Sequence, residues 1–364
     1  MNDQEYARDR QTDRQTDRQQ NNRLYLDIVK GVAIFLMLWG HCIQYCTNGE
    51  FDFFENPVFK FIYSFHMPLF MLVSGYLFFF SCKKRNLSEI LVHRTQSLVQ
   101  PIIMCSILNY FLTIVLYERS LSSVVDGPWI NTFSSLWFLW SVLVASLAVG
   151  IAVKCTNKLI LQILIIGIGF GTAYLFPNST LNLYMYPYFV IGFFFAKYKA
   201  IIPELLIRLK YLSLVLFPIM LMFFEKKHYI YTTGIIPTGN IVEQLKIDGF
   251  RWAIGLVGSI FMMAVIEILY RLIFVKKPAI IKPVSQLGVK SLQVYCLSVP
   301  LLSFWLPKLF KKLCAITSGN IFASNMVVYN LLFTPLVAIL YALLIYFTVK
   351  LMDKTKVSRV IFGR

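Results

Sequence analysis

Apolar residues along this chain gather into ten runs: roughly 24–46, 58–81, 96–117, 134–153, 159–176, 182–198, 208–224, 249–274, 286–307 and 326–351. Each run holds 17 to 26 residues and few charges. About 20 residues of helix cross the hydrocarbon core of a bilayer, and a helix satisfies its own backbone hydrogen bonds there. The pattern therefore predicts an all-α polytopic membrane protein with about ten transmembrane helices, organised as one membrane domain over residues 23–352. The flanks are different in kind. Residues 1–22 repeat Asp-Arg-Gln-Thr at 9–12 and 13–16 and have no apolar face, so a disordered polar tail is expected. Residues 353–364 read as a short basic tail.

Ten crossings put both termini on one side of the membrane. The N-tail, the even-numbered loops and the C-tail hold 25 of the 35 Lys and Arg. The odd-numbered loops and adjoining span ends hold nine, and Lys30 lies inside a span. Positive loops stay cytoplasmic, so both termini are expected in the cytoplasm. Composition agrees with this picture. A chain that is 57% hydrophobic and 16% aromatic, with a mean hydropathy of +0.64, is not a soluble globule. The net charge of +17 would suit nucleic acid, but the basic residues sit in short loops between apolar runs, so no nucleic-acid partner is expected. Seven cysteines without CxxC or Cys/His spacing indicate neither a disulfide framework nor a metal site. The first apolar run is too long and starts too late for a cleavable signal peptide.

The chemistry concentrates in the first run, which carries Asp27, Lys30 and His41 within its apolar length. A charge at membrane depth costs about 2.5–3.5 kcal/mol on insertion scales and usually faces a polar cavity or a partner. At 100° per residue, Lys30 and His41 differ by about 20° around the helix axis. Arg23, Asp27 and Lys30 stand four and three apart, the spacing of helical neighbours. Pairing within this trio, or snorkelling to the headgroups, is the plain alternative for the three charges. His41 lies about 16 Å farther along the axis, beyond the reach of snorkelling from that end.

The second run, FKFIYSFHMPLFMLVSGYLFF, holds His66 at a depth similar to that of His41, Pro68 in mid-helix, and Ser74-Gly75-Tyr76 near the depth of Lys30. Proline removes a backbone donor and should bend this helix. The inner loop that follows gathers Lys83, Lys84, Arg85 and Arg94, which serves either as a topological anchor or as a dock for an anionic cytoplasmic ligand. Aromatic clusters around Trp137 and Tyr186 near the outer ends of two spans fit an interface belt or a stacking surface for a sugar. Residues 225–248 form the longest outer loop and are expected to shape an entrance, with Arg251 at the start of the next span. Glu267, deep in that span, should pair with a basic group. Gly288, Ser291, Gln293 and Tyr295 give the ninth run a polar face.

LDIVKG at 26–31, GH at 40–41 and YSFHMPLFMLVSGYLF at 63–78 resemble the acyltransferase 3 family of integral-membrane O-acyltransferases, including bacterial polysaccharide O-acetylases of the fucose 4-O-acetylase type. Weaker echoes are Arg94 with Pro101, WFL at 137–139, YPYFVIGFFFAKY at 186–198 and LGVKSLQVY at 287–295. The resemblance implies an enzyme of the bacterial inner membrane with no permanently bound cofactor. Its donor would be cytoplasmic acyl-CoA, in the first instance acetyl-CoA. Its acceptor would be a sugar hydroxyl of a surface glycan or lipid-linked sugar. It implies His41 as the essential histidine, with Asp27 and His66 as candidate catalytic partners. Lys30, Ser74, Tyr76, Lys83, Lys84, Arg85 and Arg94 then become candidates for the donor, and Trp137, Tyr186 and Arg251 for the acceptor. Two departures stand out. The family's pair of basic residues three apart is here Arg94 and Ser97, and the family's histidine in the ninth helix is here Ser298. A non-enzymatic transporter or flippase for a lipid-linked glycan is the rival reading, but no inverted repeat supports it.

Overall fold

The computed structural model describes residues 3–117, 135–235, 239–272, 278–316, 325–355 and 357–363. The expected span limits at 134 and 274 fall outside them. Among the described residues the chain is helical, without a strand. Six helices among the described residues are long and apolar enough to cross a membrane, by length and composition.

The elements, in order, are α1 (Asp3–Tyr45), α2 (Pro57–Lys84), α3 (Leu87–Arg94), α4 (Gln100–Tyr117), α5 (Trp137–Cys155), α6 (Leu159–Thr172), α7 (Ser179–Tyr198), α8 (Pro203–Met222) and α9 (Ile241–Leu272). Then follow α10 (Pro278–Val289), α11 (Ser291–Pro300), α12 (Leu306–Ile316), α13 (Thr334–Asp353) and α14 (Val357–Phe362). The polar repeat continues the helix of α1, whose membrane-crossing part is Asn21–Tyr45. Pro68 sits inside α2, which runs on without interruption. Asn56 caps that helix by accepting from Val58 N and Phe59 N. The ninth apolar run is not one helix. It divides at Lys290, whose ammonium pairs with Asp353 at the end of α13. A run of apolar residues reports the solvent but not where a helix is divided within it.

Helices α1 and α2 lie at the centre, packed on each other and on α7, α9, α10 and α13. Lipid tails are as apolar as leucine, so these helices gain from close contact more than from leaving water. Glycines supply that contact at two crossings. A Cβ on Gly31 would overlap the Val284 carbonyl of α10, and one on Gly288 would overlap the Asp27 carbonyl of α1. Gly75 of α2 and Gly192 of α7 are related in the same way, through the carbonyls of Phe189 and Leu72. The outer helices face the lipid: Ile160 of α6 is 75% exposed and Met222 of α8 83%.

Among the described residues, three single π-helical turns interrupt the helices, at Thr95–Val99, Leu301–Trp305 and Tyr329–Phe333. Such turns add a residue to the helical register and recur beside functional sites. Each lies at a wall or rim of the cavities described next.

Candidate active site

One stripe of α1 lines two cavities. Lys30, Ile34, Met37, His41 and Gln44 follow one another four, three, four and three apart, which keeps them on one helix face. Lys30 and Ile34 face an inner cavity of about 410 Å³, and His41 and Gln44 face an outer one of about 370 Å³. Met37 borders both, as does Tyr295 of α11. Tyr295 is held in place where its hydroxyl accepts from Phe138 N at 3.3 Å. The two cavities therefore share a border at these two side chains, the neck between them. A second stripe, on α2, forms the facing wall: Phe59 and Tyr63 outside the neck, then Met67, Phe70, Ser74, Leu77 and Ser81 inside it.

The inner cavity is basic. Lys30, Arg85, His93 and Arg94 line it, together with the hydroxyls of Ser74, Ser81, Ser97 and Ser291. Lys30 is paired with Asp27 at 2.8 Å. Arg85 donates to Ser81 Oγ at 2.5 Å, and the Arg94 guanidinium lies 4.3 Å from the Phe78 ring centroid. Arg94 ends α3, and the π-helical turn Thr95–Val99 carries Ser97 and Leu98 to the same wall. Cationic groups with several hydroxyls match the phosphates of a nucleotide-like ligand.

The outer cavity is neutral and aromatic. Tyr45, Phe53, Phe54, Trp137 and Tyr231 line it, with Ser135, Ser298 and the Tyr295 hydroxyl. The His41 ring stacks on Tyr45 with centroids 5.7 Å apart and meets Tyr63 edge-on at 6.2 Å. Its Nδ1 lies 3.4 Å from Gln44 Oε1 and 3.3 Å from the Tyr63 hydroxyl. With hydrogen on Nδ1 both partners accept and the lone pair is on Nε2; with hydrogen on Nε2 the Tyr63 hydroxyl donates to Nδ1. Gly40 makes room for this arrangement, because its missing Cβ would sit 2.6 Å from Tyr63 Cε2.

The rim is tied down from several sides. Tyr329 donates to the Ile43 carbonyl at 2.9 Å, and Asn56 donates to Asn330 Oδ1 at 2.7 Å. Lys226 pairs with Asp52 at 2.5 Å, and that ammonium holds the Asp52 carboxyl below its usual range. Tyr229 donates to the Phe54 carbonyl at 3.0 Å.

Of the residues singled out in the sequence, the structure brings His41 and Trp137 together at the outer cavity, and Lys30, Ser74, Arg85 and Arg94 at the inner one. Asp27 stays with Lys30, 14 positions from His41 along one helix or about 21 Å at 1.5 Å per residue. His66 is buried, its Nδ1 2.9 Å from the Ile62 carbonyl of its own helix. It stands at the edge of the stripe, three positions after Tyr63, whose ring centroid is 4.7 Å away, but it lines neither cavity. Tyr76 accepts from Lys199 Nζ at 2.5 Å and faces a different hollow. Lys83 and Lys84 are exposed on the last turn of α2, outside the inner cavity. Tyr186 donates to the Ile166 carbonyl at 2.8 Å and clamps α7 to α6.

Arg251 is 1% exposed and holds the outer loop rather than an open site. It pairs with Asp248 at 2.7 Å and donates to the carbonyls of His228 and Gly234 at 2.9 and 2.7 Å. That loop carries Tyr231 to the outer cavity. Glu267 pairs with Lys210 and Arg271, each at 2.5 Å, as its depth required. Sequence reasoning did not single out Gln44, Tyr45, Tyr63 or His93 for the site. Gln44 stands three positions from His41, so helical spacing alone pointed to it.

Over residues 23–351 the chain matches the acyltransferase-domain family. It is also similar to the nodulation protein NolL of Mesorhizobium japonicum, 30% identical over 184 residues, which are 49% of this chain and 49% of that protein. NolL of Sinorhizobium fredii is 33% identical over 189 residues, 49% of this chain and 50% of the relative. The match thus spans about half the length of these relatives. No solved structure matches.

Proposed function

Because the chain belongs to the acyltransferase-domain family, we propose that it is a multi-pass membrane O-acyltransferase moving an acyl group, acetyl in the simplest case, from acyl-CoA to a sugar hydroxyl. The observation that carries this reading is the single stripe of α1 that lines both a basic cavity and a hydroxyl-rich aromatic one, which share Met37 and Tyr295 at their border. The phosphates of the donor sit against Lys30, Arg85 and Arg94. The pantetheine arm crosses the neck, and the thioester reaches His41, about 16 Å from Lys30 along the helix. Excess Lys and Arg on the loops at the Lys30 end supports a cytoplasmic entrance for the donor. The acceptor, a surface glycan or lipid-linked sugar, occupies the outer cavity. Its apolar faces stack on Trp137 and Tyr45, and its hydroxyls meet neutral donors and acceptors. The bacterial cytoplasmic membrane is the matching location.

His41 Nε2 takes the proton of the acceptor hydroxyl as its oxygen attacks the thioester carbonyl. The tetrahedral intermediate collapses, the C–S bond breaks, and the imidazolium returns its proton to the departing thiolate. An ester and free CoA thiol are the products. Gln44 and Tyr63 orient the ring and do not react.

The test is thiol release from acetyl-CoA by the purified protein, together with mass analysis of surface glycan made with and without it. His41→Ala should accumulate in the membrane as wild type does and lose on the order of 10²–10⁴ in rate. Activity within tenfold of wild type would remove His41 as the base. An unchanged glycan mass and no thiol release by the wild-type protein would remove the reading itself.

A further inference from the structure

A third hollow, of about 560 Å³, lies on the other side of α1 and α2 from the active-site stripe, among α7, α8 and α9. Its walls are apolar for most of their extent, and α8, which closes one side, turns most of its surface outward. The polar groups gather at the end of the bundle that carries Lys30. There Glu267 is shared by two cations, Lys210 and Arg271, so the cluster keeps a net positive charge. Lys199 adds another at Tyr76, which lines the same hollow. Tyr25 closes the floor by donating to the Met263 carbonyl at 2.8 Å. Nothing in the acyl-transfer chemistry uses this space.

We infer that this hollow binds an anionic phospholipid of the surrounding membrane, one acyl chain lying in the apolar channel and the phosphate meeting Arg271 and Lys210. Several features fix the occupant's chemistry. The channel is long and apolar between membrane helices, so it takes a hydrocarbon chain. Its charged end has more cations than carboxylates, so it favours a negative headgroup over a zwitterionic one. Arg271 is the exposed member, its side chain 74% accessible, and can turn a guanidinium fork toward a phosphate while Lys210 stays with Glu267. The binding also joins α1, which bears the active-site stripe, to α8 and α9.

The experiment is native mass spectrometry of the full-length protein, delipidated in detergent and then offered phosphatidylglycerol or phosphatidylcholine. Wild type should retain one phosphatidylglycerol in preference to phosphatidylcholine. Arg271→Gln should lower phosphatidylglycerol retention on the order of tenfold, the loss of one charge-assisted contact. It should leave phosphatidylcholine unchanged. Ile260→Trp, which fills the channel, should lower retention of both lipids. A melting temperature measured without added lipid checks that each variant folds. If Ile260→Trp does not fold, Arg271→Gln decides alone. Equal retention of the two lipids by wild type, no retention of either, or undiminished phosphatidylglycerol on Arg271→Gln would overturn the inference.

Discussion

Gly40→Ala is the change that tests how His41 is held. The new Cβ would stand 2.6 Å from Tyr63 Cε2, where ordinary contact begins at 3.4 Å, so the ring must retreat by about 0.8 Å. It has little room. Tyr63 is stacked on Phe59 with centroids 3.9 Å apart and has His66 on another side at 4.7 Å. The Tyr63 hydroxyl is already 3.3 Å from His41 Nδ1, so a retreat of that size takes it beyond hydrogen-bond range. The imidazole then keeps only the 3.4 Å contact to Gln44. A displacement near 1 Å at a reacting group costs on the order of 10²-fold. We therefore expect kcat for acyl transfer to fall about ten- to a hundredfold. Tyr63→Phe removes one hydroxyl without moving the ring and should cost less, about two- to twelvefold for a bond of roughly 0.5–1.5 kcal/mol. The assay is thiol release at saturating acetyl-CoA. The donor KM should stay near wild type in both variants, because the phosphates bind at the Lys30 end. A wild-type kcat for Gly40→Ala, or a raised KM with kcat intact, refutes the account of how the base is positioned.

Lys30→Ala should raise the KM for acyl-CoA tenfold or more, for a charged contact worth about 1.5–3 kcal/mol, with kcat at saturation little changed. Lys30→Arg should be better tolerated, and a fall in kcat alone would move Lys30 into the reaction step. Gly288→Ala forces a methyl against the Asp27 carbonyl and should destabilise the protein by about 1–3 kcal/mol, read as a lowered melting temperature in detergent. Gly167→Ala, with no atom within 4 Å of its Cβ, is the control and should be neutral or slightly stabilising. His228 lies outside the membrane helices, and burial, followed by the Lys227 charge, pulls its pKa down to about 4. Its Nδ1 accepts from Glu225 N at 2.9 Å, a bond that protonation removes. The unfolded histidine titrates near 6.5 and binds the proton first, so loop stability is lost as pH falls from about 6.5 toward 4. Limited proteolysis of residues 225–234 should quicken over that window, and His228→Gln should flatten the response.

Residue order alone determined that this is a helical membrane protein and which helix carries a stripe of Lys30 and His41 at membrane depth. Hydropathy reports the solvent around each run, and a charge at membrane depth is costly enough to mark its helix face. The Lys30–His41 stripe follows from helical period and needs no neighbour to be seen. What period cannot report is which way a face turns against the rest of the fold. His66 and Met67 are adjacent in the chain, yet packing put Met67 in the cavity wall and His66 against its own backbone. Arg251 and Tyr186 have the composition of binding residues, but neighbouring loops and helices spent their donors on carbonyls. His93 and Tyr295 came into the site only through contacts far apart in sequence. The pairing of Lys290, where the ninth run divides, with a carboxylate 63 positions away on another helix was likewise invisible. The chain's own sequence sets local periodicity and cost. The choice among equally polar residues was made by helix–helix packing, which depends on shape across long separations.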